Sequence, residues 1–252
     1  MSPSIWTPDA LSSEARSYAR NLWRVVEAQH RSSTMRVTDT LEEQAILEDL
    51  IEEVKPPIPP ACRGLHYLLY TPFRYAPYPH GSRFRGARQR DGAFYASERV
   101  ETAIAETAFY RLLFHLEAPA ARLPVRPTEH TAFRVRAATD RLIDLTASPL
   151  ARDAALWRHP VDYGPCQDLA DAARRAGLHA IRYASVRDPA QRANVALLDP
   201  AAFAASAPDV TQTWRVFPRP DVVQAWRDFP DPLRLEFARA DFANDPRIPT
   251  QA

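Results

Sequence analysis

The chain has 252 residues, of which 46% are hydrophobic, so it can bury a sizeable core and disorder is not expected. Its formal net charge is +1, which argues against nucleic acid as the main partner, because such proteins usually carry a clear basic excess. The two cysteines, Cys62 and Cys166, exclude a disulfide framework and a four-cysteine metal site and fit a cytoplasmic protein. We expect neither a secretory signal nor a membrane-spanning segment.

The first sixty residues are predicted to be a helical extension. Apolar residues at helical spacing predict one helix over residues 9–30 and a second over 39–54. The proline-rich run at residues 56–60 ends the second helix, because proline lacks the N–H group that a helix needs. We therefore expect three parts: a helical extension over 1–60, a main domain over 61–220 and a peripheral tail over 221–252.

Predicted strands and helices are mixed in the main domain without regular alternation. A helix over 97–116 is expected to begin at Ser97 as N-cap, and another over 167–176 ends at Gly177. This order is typical of an α+β fold rather than a doubly wound parallel sheet. Short strands are predicted at 65–70, 93–96, 133–137, 141–145, 180–184, 195–198 and 214–217.

Glu106 is the most informative single residue. On a helical wheel it shares a face with Phe109 and Leu113, which is an unusual neighbourhood for a carboxylate. Burial of an unpaired carboxylate costs roughly several kcal/mol of free energy, or the pKa of the group shifts so that it becomes neutral. Glu106 therefore either forms a structural salt bridge or lies at the helix edge, or it lines a cleft and stabilises positive charge there.

A loop rich in arginine and glycine forms the second candidate feature. Guanidinium groups suit phosphate oxygens, and the aromatic residues among them suit stacking on a base or a nicotinamide ring. The alternatives are a solvated loop with scattered surface arginines, or a nucleic-acid groove, which the near-zero net charge disfavours. The arginines are Arg74, Arg83, Arg85, Arg88 and Arg90, and the aromatic residues include Tyr75, Phe84, Phe94 and Tyr95.

Ser185 follows a predicted strand, where a hydroxyl is often placed at the rim of a cleft or caps a turn. It lacks the glycine-flanked setting of a nucleophilic serine. The seven histidines show no metal-ligand spacing, so no metal centre is expected.

Several of these segments, in this order, resemble the RES domain family, which is named for an arginine, a glutamate and a serine. The serine resembles Ser185, and Tyr95 precedes Glu106 by the family's spacing. The arginine resembles Arg83 by its aromatic context and Arg85 by ungapped spacing; we prefer Arg83, since loop length varies more easily than local packing. The similarity covers roughly residues 62–200 and includes residues 73–75, 82–84, 92–97 and 101–106.

The resemblance implies a fold similar to ADP-ribosyltransferases, with a mixed sheet core, and a toxin that consumes NAD as its substrate without a metal. Cleavage of the nicotinamide–ribose bond ends in hydrolysis, phosphorolysis or ADP-ribosyl transfer. The catalytic residues implied are Glu106, Arg83, Tyr95 and Ser185, and the NAD-binding residues are Arg74, Arg83, Arg85, Tyr95 and Ser185.

The resemblance also implies a partner, an antitoxin of the Xre/ParS/MbcA type, which blocks a cleft bordered by Arg74, Arg83 and Tyr95. Nucleic acid would be contacted only through that antitoxin, and self-association is left open. Two other functions compete with this one: a toxin that acts on nucleic acid through the arginine–aromatic loop, and a non-catalytic interaction module.

Overall fold

The computed structural model describes residues 6–28, 39–118 and 122–249. These residues form one mixed sheet of eight strands with six α-helices, which confirms the predicted α+β class. The helices are α1 (Pro8–Ser13), α2 (Leu41–Val54), α3 (Tyr67–Arg74), α4 (Val100–Glu117), α5 (Ala154–Trp157) and α6 (Gly164–Arg175). The strands are β1 (Arg16–Glu27), β2 (Phe94–Ser97), β3 (Thr128–Asp144), β4 (Ala180–Ala184), β5 (Ala193–Leu197), β6 (Val210–Pro218), β7 (Val222–Arg227) and β8 (Leu233–Ala238).

The sheet closes on itself over five of its strands. Its order is β1-β2-β5-β4-β3-β6-β7-β8, and β1 also pairs with β3, so the first five strands form a ring. The β3–β4 pair is parallel and the others are antiparallel. Trp23 of β1 lies opposite Ser97 of β2 on one side and opposite Arg134 of β3 on the other. The ring gives β1 a partner on each side and so makes it part of the core sheet, whereas β8 remains an edge strand.

The helix predicted over residues 9–30 is wrong. The helix α1 ends at Ser13, β1 follows, and residues 29–30 lie outside the described part of the chain. β1 contains aromatic and β-branched side chains that suit a strand, and its pairing with β3 along nearly its whole length favours the extended form. Short apolar runs fit both helical and strand periods, so periodicity alone did not separate the two.

The strand predicted over residues 65–70 is also wrong, because this segment enters helix α3. His66 caps the helix by accepting the backbone N–H of Leu68 at 3.3 Å, and Leu69 and Phe73, one turn apart, are buried. Ser97 is not the N-cap of α4, since it ends β2, and Arg99 takes that position.

The other predicted elements are present with shifted ends. α2, α4 and α6 match the predicted helices, and the two strands predicted at 133–137 and 141–145 are one strand, β3. The tail carries β7 and β8, which extend the sheet, so it is not wholly peripheral. The boundaries at residues 60 and 220 stay predictions, although strands from all three parts share one sheet.

Helix α4 provides the backbone of the functional region. It packs against β1, β2 and β6 to β8, and nine of its 18 residues are buried. Phe109 and Leu112 contribute to a core cluster that includes Trp214 and Phe242. Across the residues described, no helix combines the length and apolarity needed to cross a bilayer.

Helix α2 lies at the periphery and buries none of its residues. Its capping box joins Thr40 to Glu43, and Glu52 forms an ion pair with Arg74 of α3 at 2.7 Å. Leu50 and Val54, on its apolar stripe, are 54% and 83% exposed. The helix is therefore attached through polar contacts, and its apolar stripe faces solvent.

Candidate active site

A cleft of about 290 Å³ opens where β1, β2, α4 and the turn after β4 meet. Its lining combines a carboxylate, arginines and four tyrosines, which gives it both charged and aromatic walls. The residues important here are Arg24, Arg83, Tyr95, Glu106, Tyr110, Tyr163, Tyr183, Arg187 and Asn194.

Glu106 presents one fixed and one free carboxylate oxygen. Its Oε1 accepts hydrogen bonds from the Ser185 hydroxyl at 2.7 Å and from the side-chain amide of Asn194 at 2.6 Å. Its Oε2 accepts no hydrogen bond from the residues that the structure describes. The carboxylate is therefore held in one orientation, with an oxygen left for a ligand.

Ser185 lies behind Glu106 and does not line the cleft. It is fully buried at the end of β4, and its Oγ accepts the backbone N–H groups of Arg187 at 3.1 Å and Asp188 at 3.0 Å. With both lone pairs used, the hydroxyl hydrogen points to Glu106. The predicted role of Ser185 toward the ligand stays a prediction, and the geometry gives it a positioning role.

Asn194 of β5 is a second support that the sequence analysis did not single out as functional. Its side-chain oxygen accepts a hydrogen bond from Ser97 at 2.6 Å, which fixes the amide so that its NH₂ group donates to Glu106. The residue stands in the resembling stretch after Ser185, but only the pairing of β5 with β2 and β4 reveals its partner.

Arg83 faces the cleft from the loop before β2. Its Nη1 donates to the carbonyl oxygens of Trp157 at 2.8 Å and His159 at 2.9 Å, and its guanidinium carbon lies 4.6 Å from the centroid of the Tyr163 ring. Burial acts to lower the pKa of Arg83, but contacts with Cys166 and Tyr163 outweigh it and raise that pKa. No carboxylate among the described residues pairs with it, so its charge is available to a ligand.

Arg24 is a cleft residue that the sequence analysis missed. It projects from β1, donates through Nη1 to the Tyr95 carbonyl at 2.7 Å, and lies 5.0 Å from the centroid of the Phe94 ring. Burial lowers the pKa of Arg24 to about 10, so it remains protonated at neutral pH. Within the described ranges it too has no carboxylate partner. The misassignment of β1 as helix concealed it.

Two tyrosines shape the cleft wall and stay neutral. The Tyr95 hydroxyl shares a hydrogen bond with Ser82 Oγ at 2.8 Å and accepts the backbone N–H of Phe84 at 2.9 Å, which fixes the loop that carries Arg83. Burial raises the pKa of Tyr95. Burial, reinforced by the nearby Glu106, raises the pKa of Tyr183 well above its usual value.

Arg74 and Arg85 do not line this cleft. Arg85 donates to the carbonyl oxygens of Tyr75 at 2.8 Å and Arg90 at 2.9 Å and so ties its own loop together. Arg74 pairs with Glu52. The two were predicted to bind NAD, and that stays an untested prediction without support from the cleft geometry. Of the two alternatives for the family arginine, Arg83 is the one at the cleft.

No group of three or more histidine, cysteine, aspartate or glutamate side chains in the described ranges is arranged to hold a metal ion. The fold and the site together define an α+β domain with a cleft whose walls combine aromatic and charged side chains.

The family model of the RES domain matches residues 58–218, and the chain belongs to this family. The matched range contains Arg83, Tyr95, Glu106 and Ser185, whereas Arg24 precedes it. Among solved structures, the chain is similar to the crystal structure of the M. tuberculosis MbcT–MbcA toxin–antitoxin complex, with 12% identity and a TM-score of 0.46 over 81% of this chain and 89% of that chain. Comparison with curated proteins gives no significant match.

Proposed function

We propose that the protein is the toxin of a toxin–antitoxin pair and that its cleft cleaves the nicotinamide–ribose bond of NAD. The observation that carries this proposal is the carboxylate of Glu106, which is fixed through one oxygen. Among the described residues nothing donates to its other oxygen, and the two arginines in the same cleft have no carboxylate partner there. Membership of the RES family and the order of the family residues in the chain support it.

The carboxylate suits the charge that develops in this reaction. As the bond between C1′ of ribose and N1 of nicotinamide breaks, its electron pair leaves with the ring, which becomes neutral, and positive charge builds on the ribose. Glu106 Oε2 stabilises this positive charge and can accept a hydrogen bond from a ribose hydroxyl. The acceptor then forms a bond to C1′, and its proton passes to solvent. Nicotinamide departs as a neutral group, so no strong general acid is required.

The arginines suit the other half of the substrate. Guanidinium groups form strong charge-assisted hydrogen bonds to phosphate oxygens, and Arg24 and Arg83 reach the same cleft from β1 and from the loop before β2. Tyr95 and Tyr183 supply aromatic surface for the nicotinamide and ribose. A dinucleotide held in this way has its reactive carbon near Glu106, which lowers the entropic part of the barrier.

We further propose an antitoxin partner of the Xre/ParS/MbcA type that occupies this cleft. An acidic side chain or a C-terminal carboxylate would meet Arg24 and Arg83 as the NAD phosphates do. Arg74 does not border the cleft, so the region where the partner inserts is defined by Arg24, Arg83 and Tyr95 instead.

The test is the consumption of NAD by the purified protein after any bound partner has been removed. NAD is incubated with the protein alone, with phosphate, and with cell lysate, and is followed by chromatography. We expect the NAD peak to fall and nicotinamide to appear in at least one condition, and that condition identifies the acceptor. An unchanged NAD peak in all three, with a folded protein, contradicts the proposal.

A further inference from the structure

The C-terminal segment, residues 239–249, packs directly behind the cleft although it lies beyond the matched RES range. The ring of Phe242 is buried 5.5 Å from that of Phe109 on α4, measured between centroids. Asn244 donates to the carbonyl oxygen of Val186 at 3.2 Å. Asp245 is completely buried and lies 2.7 Å from Nη2 of Arg187.

Arg187 carries a buried charge beside the catalytic carboxylate. It lines the cleft, it is only 1% exposed, and its guanidinium carbon lies 3.8 Å from the centroid of Phe109, one helical turn after Glu106. Its backbone N–H donates to Ser185 Oγ, which in turn donates to Glu106. A net positive charge at this position would act at the same end of the cleft as Glu106.

Asp245 offsets that charge. Burial acts to raise the pKa of Asp245, but hydrogen bonds from Arg247 and the charge of Arg187 outweigh it and lower that pKa, so the carboxylate is ionised at neutral pH. Arg247 donates to both carboxylate oxygens of Asp245, from Nε at 3.0 Å and from Nη2 at 2.8 Å, so the two arginines share one carboxylate and the three groups together carry a net charge of +1. Arg187 is thus paired, whereas Arg24 and Arg83 have no carboxylate partner in the described ranges.

We propose that Asp245 sets the specificity of the cleft by reducing the positive charge at Arg187, so that the end near Glu106 accepts the cationic nicotinamide ring while Arg24 and Arg83 hold the diphosphate. This inference rests on the proposed function and adds to it a specificity-determining residue outside the matched RES range. Asp245 is a positioning residue, because it acts on the ligand through Arg187.

The test compares two probes of opposite character. A non-hydrolysable carbocyclic analogue of NAD keeps the cationic ring, and ADP-ribose lacks it. Titration calorimetry on Asp245→Asn, which removes the charge and keeps the side-chain size, should show about tenfold weaker binding of the analogue, because one uncompensated charge a few ångströms away is worth at least that much. ADP-ribose should bind equally or more tightly, since its phosphates gain an attractive charge.

Asn244→Ala is the matched control, because it loosens the same segment without changing any charge. It should change the affinities for both probes by the same factor. Arg187→Gln is the second variant and should shift the ratio of the two affinities in the direction opposite to Asp245→Asn. It decides the question if Asp245→Asn does not fold.

Opposite shifts of the ratio in the two charge variants support the inference. Equal weakening of both probes by Asp245→Asn, or an unmoved ratio in Arg187→Gln, overturns it. The proposed function fails separately. If the wild-type protein binds both probes and the two variants show the expected shifts, but NAD is never consumed, the inference on Asp245 stands and the enzymatic function is wrong. A wild-type protein that binds neither probe overturns both.

Discussion

Helices α2 and α4 are both more than three turns long, yet they have opposite relations to the rest of the molecule. α4 buries nine of its residues and is enclosed by the sheet and the C-terminal segment, whereas α2 buries none. The polar side of α2 is attached to the body through Glu52 and Arg74, and Glu106 on α4 is held through Ser185 and Asn194. A charged group therefore gains a defined orientation from a buried, rigid helix and not from helicity itself.

Removal of the Glu106 charge on α4 should reduce activity more than any other substitution considered below. Glu106→Gln keeps the size of the side chain and removes its charge, so turnover of NAD should fall about 10²- to 10³-fold, a typical loss for one electrostatic stabiliser. The affinity for ADP-ribose should change much less, because its phosphates are proposed to contact Arg24 and Arg83 rather than Glu106. Steady-state kinetics, with ADP-ribose as an inhibitor, measure the turnover and the affinity, and a thermal melt checks that the variant keeps the fold. Unchanged turnover would return Glu106 to a structural role.

The next prediction compares an arginine in the cleft with the arginine that holds α2. Arg83→Met should raise KM for NAD about 10- to 100-fold, because a hydrogen bond to a charged group contributes roughly 1.5–3 kcal/mol. Arg74→Met should leave KM unchanged, since Arg74 holds α2 and does not reach the cleft. If Arg74→Met raised KM as much as Arg83→Met does, the assignment of the cleft would be wrong.

A smaller loss of turnover is expected when a hydrogen-bond donor to the Glu106 carboxylate is removed. Ser185→Ala removes one of the two hydrogen bonds to Glu106 Oε1 and the cap of the turn at residues 186–188, so turnover should fall about tenfold. KM should change little, because Ser185 does not line the cleft. A change confined to KM would show that the hydroxyl contacts the substrate directly.

The smallest effect is expected on α2. Leu50→Ser should change the free energy of unfolding by no more than about 0.5 kcal/mol, because the residue is exposed, and turnover should not change. The same substitution on α4, Leu112→Ser, should destabilise by about 3 kcal/mol or more, since Leu112 is 2% exposed. Chemical denaturation compares the two. Similar losses would show that α2 is buried in solution.

Much of the site could be predicted from local sequence. A glutamate on an apolar helix face is rare enough to be noticed, and Arg83, Tyr95 and Ser185 stand in family order. The choice between Arg83 and Arg85 needed the structure, because both are equally buried and only the path of the loop determines which faces the cleft. Spacing along the chain carries no information about that path.

The missed features depend on contacts between distant parts of the chain. Arg24 belongs to a strand that pairs mainly with β3, far along the chain, and a short apolar run there fits a helix as well as a strand. Asp245 lies in a stretch rich in proline, aspartate and arginine, where no periodicity marks it. Its importance depends on Arg187 beneath it, which no local pattern could reveal.

The closed ring of strands has a consequence for the order in which the molecule becomes functional. β1, near the start of the chain, has its partners in β2 and β3, and the pairing of Trp23 with Arg134 needs more than half of the chain. The pair of Arg187 and Asp245 joins two further segments of the chain. Since contacts so distant in sequence form late and slowly, a chain that has emerged only as far as β2 has no finished cleft. The lining of the cleft therefore becomes complete only after strands far apart in the sequence have paired.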